Sequence, residues 1–261
     1  MVQAPGERLE VVAFAGPAPG RFGAAFSRLA AEPAPDVALL VGGVGDDRAD
    51  IADTLAQLAG LPFPTFILPG GRDPLETLTA AHADLSPAQQ RRIWLLAGYH
   101  RLQLGQHEFV VLSGAENGRY GLGDDTCGFD SDDLQTLGET LEASQAAPQR
   151  WLLSWVAPAG RAVSSTPEGL EVGSEAVAEL ATKLGATSGV YAWPAVAAAE
   201  PVDHSGTSVA VGQQGGSLHV VVPRLGGPAL ERADGSRLGP GYVRFRLQAR
   251  DLHYLELAGS P

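Results

Sequence analysis

The stretch "TFILPGGRDP", from Thr65 to Pro74, joins a strand-like segment to a loop in a functionally important position. Its apolar residues predict a buried strand that breaks at Pro69 and Gly70, because proline and glycine interrupt regular structure. Ligands bind at the carboxyl ends of parallel strands in α/β proteins. The loop offers glycines, Arg72 and Asp73, so it is either an active site or the surroundings of one.

The segments before this stretch alternate between strand and helix patterns. "EVVAFA" (10–15) and "DVALLV" (36–41) are short apolar runs that end at glycine-containing loops. "RFGAAFSRLAAE" and "DIADTLAQLAG" place apolar residues at helical spacing, and Gly60 ends the second of them. The β-α-β-α-β order predicts a parallel sheet with right-handed crossovers.

The middle of the chain continues this alternation. After a helix over 74–83, "IWLL", "YHRLQL" and "EFVVLSG" predict strands, with a hairpin turn at Gly105 and Gln106. Ser131 and Ser174 are the predicted N-caps of two helices with apolar residues at helical spacing. "RWLLSWVAP" and "SGVYAWP" predict two more buried strands.

The C-terminal third shows strand patterns alone. From Thr207 onward these are "TSVAVG", "SLHVVVP", "GYVRFRL" and "LHYLEL". We therefore expect an α/β fold in a single domain over residues 1–261. A parallel-rich first sheet would be followed by a second sheet built largely from this β-rich third.

Composition excludes several classes of partner. The 261 residues carry a net charge of −12, which argues against nucleic acid and anionic membranes, because both require a basic surface. Cys127 is the only cysteine, so no intrachain disulfide and no cysteine-based metal site is expected. The sequence shows no signal-peptide pattern and no apolar run of 18 residues, which favours a cytoplasmic location.

Five predicted strands end in loops of small or special residues. These loops are Ala15-Gly16-Pro17, Gly42-Gly43-Val44-Gly45-Asp46, Gly70-Gly71-Arg72-Asp73, Ser154-Trp155-Val156-Ala157-Pro158 and Ala192-Trp193-Pro194-Ala195. Because the carboxyl ends of parallel strands share one edge of a sheet, we expect the five loops to converge.

The order and strand context of these loops resemble the calcineurin-like metallophosphoesterase family. The family pattern has five blocks, D-x-H, G-D, G-N-H-D/E, H and G-H-x-H, each after a strand. The third block lines up with Gly70-Gly71-Arg72-Asp73, and the resemblance covers nearly the whole chain. It implies a two-sheet α/β/β/α sandwich of the metallophosphoesterase type.

The chain departs from the family at the residues that hold two metal ions. In the first three blocks, the family's Asp, His and Asn ligands correspond to Ala15, Pro17, Gly43 and Gly71. The family's His that protonates the leaving group corresponds to Arg72. In the last two blocks the histidines correspond to Trp155, Trp193 and Ala195. Asp73 alone keeps the family's residue type, and it is generally not a primary ligand.

These replacements remove the chemistry of the family. Metal-assisted phosphoester hydrolysis needs a dication, which must be held by imidazole, carboxylate or thiolate groups. The six histidines of the chain offer no substitute, because no two lie three or four residues apart. We therefore expect no metal, no cofactor and no catalytic residues.

Arg72 and the two tryptophans allow more than one interpretation. Arg72, flanked by glycine, could hold an anion. The preferred interpretation is an ion pair with Asp73 or Asp46 in the space left by the metals. Trp155 and Trp193 could form an aromatic floor for a ligand or partner, but core filling is preferred.

Acidic and nucleophilic residues elsewhere also have simpler explanations. Asp46, Asp47 and Asp50 could bind a cation weakly, but an acidic helix start is preferred. The aspartate-rich stretch over 124–133 lacks the order of a calcium loop, which favours a solvated loop. No triad pattern surrounds Ser154 or Cys127.

The leading hypothesis is a catalytically inactive metallophosphoesterase-like protein that serves as a protein-binding or scaffold subunit. Its partner is unidentified, and the acidic chain favours a basic one. One alternative is a metal-free sensor or enzyme that binds an anionic small molecule at Arg72. A weaker alternative is a divergent, active phosphoesterase.

Overall fold

The computed structural model describes residues 8–16, 22–117, 126–142, 149–193, 200–231, 237–248 and 251–258. The helices are α1 (Ala24–Ala31), α2 (Arg48–Ala59), α3 (Leu75–Ala83), α4 (Pro87–Gln90), α5 (Ser131–Glu142) and α6 (Glu175–Lys183), with a 3-10 turn at Ala162–Ser164. The first eight strands are β1 (Arg8–Phe14), β2 (Val37–Val41), β3 (Thr65–Leu68), β4 (Ile93–Leu95), β5 (Arg101–Leu104), β6 (His107–Leu112), β7 (Ala115–Glu116) and β8 (Gly128–Phe129). The others are β9 (Gln149–Ser154), β10 (Ser188–Tyr191), β11 (Gln214–Gly215), β12 (His219–Val221), β13 (Leu230–Glu231), β14 (Arg237–Leu238), β15 (Tyr242–Gln248) and β16 (Asp251–Ala258).

The first sheet has the strand order β11-β16-β15-β1-β2-β3-β4. Its β1-β2-β3-β4 part is parallel, as the alternating sequence pattern predicts. The other part is an antiparallel hairpin, β15-β16, which pairs with β1. The expectation that the C-terminal third builds mainly the second sheet is therefore wrong. The free edge of β1 takes up β15 instead, and Arg244 on β15 forms an ion pair with Glu10 on β1 at 2.8 Å.

The second sheet has the order β12-β10-β9-β6-β5 and comes largely from the middle of the chain. Four of its strands are parallel, and β5 pairs antiparallel with β6 across the predicted hairpin turn. Gly105 in that turn has φ +59°, a conformation that glycine adopts without steric cost. The second sheet therefore resembles the first in its parallel centre, and its strands β9, β10 and β12 end on the same side.

Three layers of apolar residues make the molecule an α/β/β/α sandwich. One cluster lies between the sheets and joins residues such as Leu39 and Phe109. A second lies between the first sheet and the helices α1, α2 and α3, and includes Leu40 and Ile51. The third packs α5 and α6 on the outer face of the second sheet. This arrangement agrees with the fold class expected from the sequence.

Two local predictions differ from the structure. Asp130, not Ser131, caps α5, because its carboxylate accepts hydrogen bonds from the backbone N–H groups of Asp132 and Asp133. The segment "TSVAVG" forms an isolated bridge between Val202 and Ser208 and a turn, not a strand. Its alternation of small and apolar residues mimics a strand pattern in a loop that folds back on itself.

The N-cap of α6 agrees with the sequence prediction. Ser174 caps α6 by accepting a hydrogen bond from the backbone N–H of Val177 at 3.2 Å, as predicted.

Within the described ranges, no helix is long and apolar enough to cross a membrane.

Candidate functional site

A cleft of about 290 Å³ lies at the carboxyl ends of β1, β2 and β3. Backbone hydrogen bonds join these strand ends, from Gly16 N–H to Gly42 O and from Gly42 N–H to Leu68 O, both at 2.8 Å. The cleft is lined by Ala15, Gly16, Val41, Gly42, Gly43, Gly45, Asp46, Arg72, Asp73, Trp155, Ala192, Trp193 and Arg224. Residues from all five loops singled out in the sequence therefore meet here.

Six of the nine sequence-predicted site residues line this cleft, and two of the described ones, Gly70 and Gly71, do not. Gly70 lies directly behind it, against the indole of Trp155. Gly71 is buried and does not line it. Pro17 lies outside the described residues.

The carboxylate of Asp73 is buried and holds two loops together. Its oxygens accept backbone hydrogen bonds from Gly70 and Val44, each at 2.7 Å, and from Gly43 at 3.0 Å. Burial raises the pKa of Asp73 to about 6, although the backbone donors act in the opposite direction. Because both oxygens already face N–H groups, Asp73 serves the structure of the loops, not the chemistry of the cleft.

The indole of Trp155 fills the space between the loops that follow β2 and β3. An added Cβ at Gly70 would lie 2.6 Å from Cδ1 of Trp155, so only glycine allows this approach. Gly42, with φ +66°, is in equally close contact with the same ring. Trp193 stacks on Trp155 with ring centroids 5.5 Å apart. The preferred interpretation of core filling describes Trp155, which is 7% exposed, better than the half-buried Trp193.

Arg72 does not form the ion pair that the sequence favours. In the described part of the chain, neither Asp73 nor Asp46 nor any other carboxylate lies within 4.0 Å of its guanidinium. The guanidinium lies 5.4 Å from the ring centroid of Trp193, a cation–π contact. The ion pair fails because Asp73 turns inward to the backbone, which leaves Arg72 exposed at the rim.

Arg224 is the site residue that the sequence analysis missed. Its segment is fixed beside the first loop by hydrogen bonds from Ala15 N–H to Pro223 O and from Leu225 N–H to Ala15 O, both at 2.9 Å. Arg224 follows β12, a parallel strand whose carboxyl end points to the cleft. The rule that located the other loops would have found it, had "SLHVVVP" been assigned to the parallel part of a sheet.

The acidic stretches have structural roles where the structure describes them. Asp47 caps α2 by accepting from the backbone N–H groups of Ala49 and Asp50. Asp130 and Asp133 cap the start of α5 reciprocally, each accepting a backbone hydrogen bond from the other. The other two aspartates of the 124–133 stretch that precede this helix, at positions 124 and 125, lie outside the described residues.

A dication does not fit the donor set of this cleft. Among its lining residues, Asp46 and Asp73 alone carry side chains that bind metals, and Asp73 is engaged with the backbone. No three His, Cys, Asp or Glu side chains of the described ranges are placed to hold a metal. The undescribed neighbours of two cleft loops, residues 17–21 and 194–199, contain none of these residue types. The side chains present therefore do not suit a metal ion that would activate water to hydroxide.

Neither Cys127 nor Ser154 has the surroundings of an activated nucleophile. Burial, together with the charge of Asp73, raises the pKa of the Cys127 thiol, which disfavours the reactive thiolate. Ser154 is fully buried on β9. Among its described lining residues, the cleft offers two guanidinium groups, an aromatic pair and one exposed carboxylate, a set suited to binding.

Comparisons with known proteins agree with the fold. No protein-family model and no curated protein matches the sequence. Among solved structures, the TT1561 protein of Thermus thermophilus is 16% identical, with a TM-score of 0.63 over 96% of this chain and 98% of that chain. A phosphopantetheinyl hydrolase from Mycobacterium tuberculosis is 11% identical, with a TM-score of 0.52 over 84% and 91%. PhoD is 13% identical, with a TM-score of 0.51 over 94% and 65%. At these identities the likeness shows the fold alone, which is of the metallophosphoesterase type.

Proposed function

We propose that this protein is a catalytically inactive relative of the metallophosphoesterases that acts by binding a protein partner, as a scaffold or regulatory subunit. The loss of catalysis is supported by the side chains that line the cleft. Trp155 lies between Gly42 and Gly70, where an active enzyme of this type needs open coordination positions. An indole offers no lone pair to a metal and excludes the water that a metal would activate.

A second surface supports the partner-binding half of the proposal. A groove of about 360 Å³ is lined by residues that include Phe66, Trp94, Leu96, Tyr99 and Leu102. The Trp94 side chain is 49% exposed and that of Tyr99 is 59% exposed. Exposed aromatic residues beside an apolar groove are typical of protein interfaces, because they bury a large area with little loss of side-chain entropy.

The position of this groove favours a partner segment that pairs with the edge of a sheet. The groove lies between β4 and β5, which end the two sheets in the described part of the chain, so both strands have an unpaired edge. Arg101 is the one charged residue among the described residues that line the groove, and its guanidinium forms an ion pair with the carboxylate of Glu108. The groove itself therefore favours neither an acidic nor a basic segment, and the net charge of −12 still favours a basic partner.

The absence of phosphoesterase chemistry is tested on the purified full chain. We expect no stoichiometric Mn, Fe or Zn by elemental analysis, and no hydrolysis of bis(4-nitrophenyl) phosphate with any of these metals added. Bound stoichiometric metal together with turnover that a chelator abolishes would establish the divergent-enzyme alternative instead.

The partner is tested by affinity capture from the native host with matched variants. Wild type is compared with Trp94→Asp, which adds a charge to the groove, and with Leu170→Asp, which adds the same charge at another exposed apolar residue. We expect one protein to be recovered with wild type and the Leu170 variant and lost with the Trp94 variant. Equal recovery with all three, at equal melting temperature, would contradict this surface.

A further inference from the structure

We propose that the cleft is a binding site for a small oxyanion, a phosphate monoester or a carboxylate, held by the guanidinium groups of Arg72 and Arg224. The two arginines come from distant parts of the chain, one after β3 and the other after β12, and both line the cleft of about 290 Å³. This inference goes beyond the proposed partner binding and does not depend on it.

Both guanidinium groups are available to a ligand. Among the described residues, neither side chain has a carboxylate within 4.0 Å or a hydrogen-bond partner. The buried arginines behave differently, since Arg150 pairs with Glu108 at 2.7 Å and Arg244 pairs with Glu10 at 2.8 Å. Arg72 is exposed and Arg224 half-buried, so a ligand can reach both, and the charge-assisted hydrogen bonds that a guanidinium donates to an oxyanion are stronger than neutral ones.

The surroundings of Arg72 hold its charge in position without neutralising it. The guanidinium lies over the ring of Trp193, which in turn stacks on the buried Trp155. A cation–π contact leaves the hydrogen-bonding edge of the guanidinium unused, whereas an ion pair would occupy it. Arg224 is fixed through its backbone to the end of β1. Less conformational freedom is therefore lost when an anion binds.

The carboxylates of the cleft narrow the class of ligand. Asp73 is buried and engaged with backbone N–H groups, whereas Asp46 is exposed at the rim. An exposed carboxylate disfavours ligands of high negative charge and favours one with an amine or hydroxyl donor. The volume suits a small metabolite and is too small for a dinucleotide or a peptide. The expected ligand is therefore a molecule in which one oxyanion is joined to a short polar group.

Isothermal titration calorimetry with the full chain tests this site with three probes. O-phosphoethanolamine and β-alanine each join an amine to an oxyanion, and they distinguish phosphate from carboxylate. Inorganic phosphate lacks the amine. We expect one of the amine-bearing probes to bind more tightly than inorganic phosphate, and we expect its affinity to fall when NaCl is raised.

Substitutions assign the binding to the two arginines. Arg72→Gln and Arg224→Gln should each weaken binding about 10-fold or more, the effect of losing a charge-assisted hydrogen bond. Arg91→Gln removes an exposed arginine outside the cleft and should leave the affinity within about twofold. No binding of any probe at about 10 mM, or binding that survives both cleft substitutions, would overturn the inference. Neither outcome would affect the metal analysis or the affinity capture.

Discussion

Replacement of Asp73 by asparagine should change how the stability of the fold depends on pH. The carboxylate is 1% exposed, and burial raises its pKa from an ordinary 3.8 to about 6. The folded state therefore binds a proton more tightly than the unfolded state. For a group with a raised folded pKa, the stability contribution is fully present below about pH 4 and is lost as pH rises through 6.

The magnitude follows from the two pKa values. A rise from 3.8 to about 6 corresponds to about 3 kcal/mol between the two protonation states. About 2 kcal/mol of this change falls between pH 4.5 and 7.5, since the unfolded carboxylate is already partly ionised at the lower limit. The side-chain amide of the variant cannot titrate, so the stability of the variant lacks this part of the pH dependence. The amide also places an NH₂ group against backbone N–H donors, which lowers stability by an amount that does not vary with pH.

Urea denaturation followed by tryptophan fluorescence measures the effect. The free energy of unfolding of wild type, minus that of Asp73→Asn, should fall by about 2 kcal/mol from pH 4.5 to 7.5. Asp53→Asn, at an exposed position on α2, controls for the loss of one negative charge. A difference that stays constant or rises with pH would refute the reasoning. It would mean that the donors from Gly43, Val44 and Gly70 stabilise the ionised carboxylate more than burial destabilises it.

Three further substitutions test the packing and the caps by thermal or chemical denaturation. Gly70→Ala places a Cβ 2.6 Å from the indole of Trp155 and should cost about 1–3 kcal/mol, whereas Gly216→Ala, with open space around it, should cost little. Trp155→Ala should cost about 3–5 kcal/mol, because it opens a cavity between the two loops; a loss below about 1 kcal/mol would show that the ring is not packed there. Asp130→Ala should lower stability by about 0.5–2 kcal/mol and Ser131→Ala by much less, and the reverse order would restore Ser131 as the cap of α5.

The sequence predicts the parallel core because each of its elements carries a local signal. Apolar runs that end in glycine locate β2 and β3, and helical spacing locates α2. Sheet membership of the C-terminal strands carries no such signal. The pairing of β15 with β1 depends on contacts between residues more than 200 positions apart, as in the ion pair of Glu10 and Arg244. The assignment of one domain over residues 1–261 stays a prediction.

The candidate site divides in the same way. Strand ends predict which loops line a cleft, so Asp46, Trp155 and Trp193 could be named in advance. The contacts that these side chains make could not be predicted from the sequence. Whether Asp73 meets Arg72 or the backbone depends on where three loops place their N–H groups, and that geometry favours the backbone. Arg224 reaches the cleft because it follows β12, and the local sequence pattern does not reveal the direction of that strand.

The position of β1 in the middle of the first sheet has a consequence for biosynthesis. This strand leaves the ribosome before the other strands of its sheet, and β2 can pair with one of its edges soon afterwards. Its other edge waits for β15, which is synthesised more than 200 residues later. Until then an apolar strand has an open edge, which is the condition that favours aggregation of nascent chains. Slow, non-local closure of the sheet should therefore make the yield of folded protein depend on chaperones during translation.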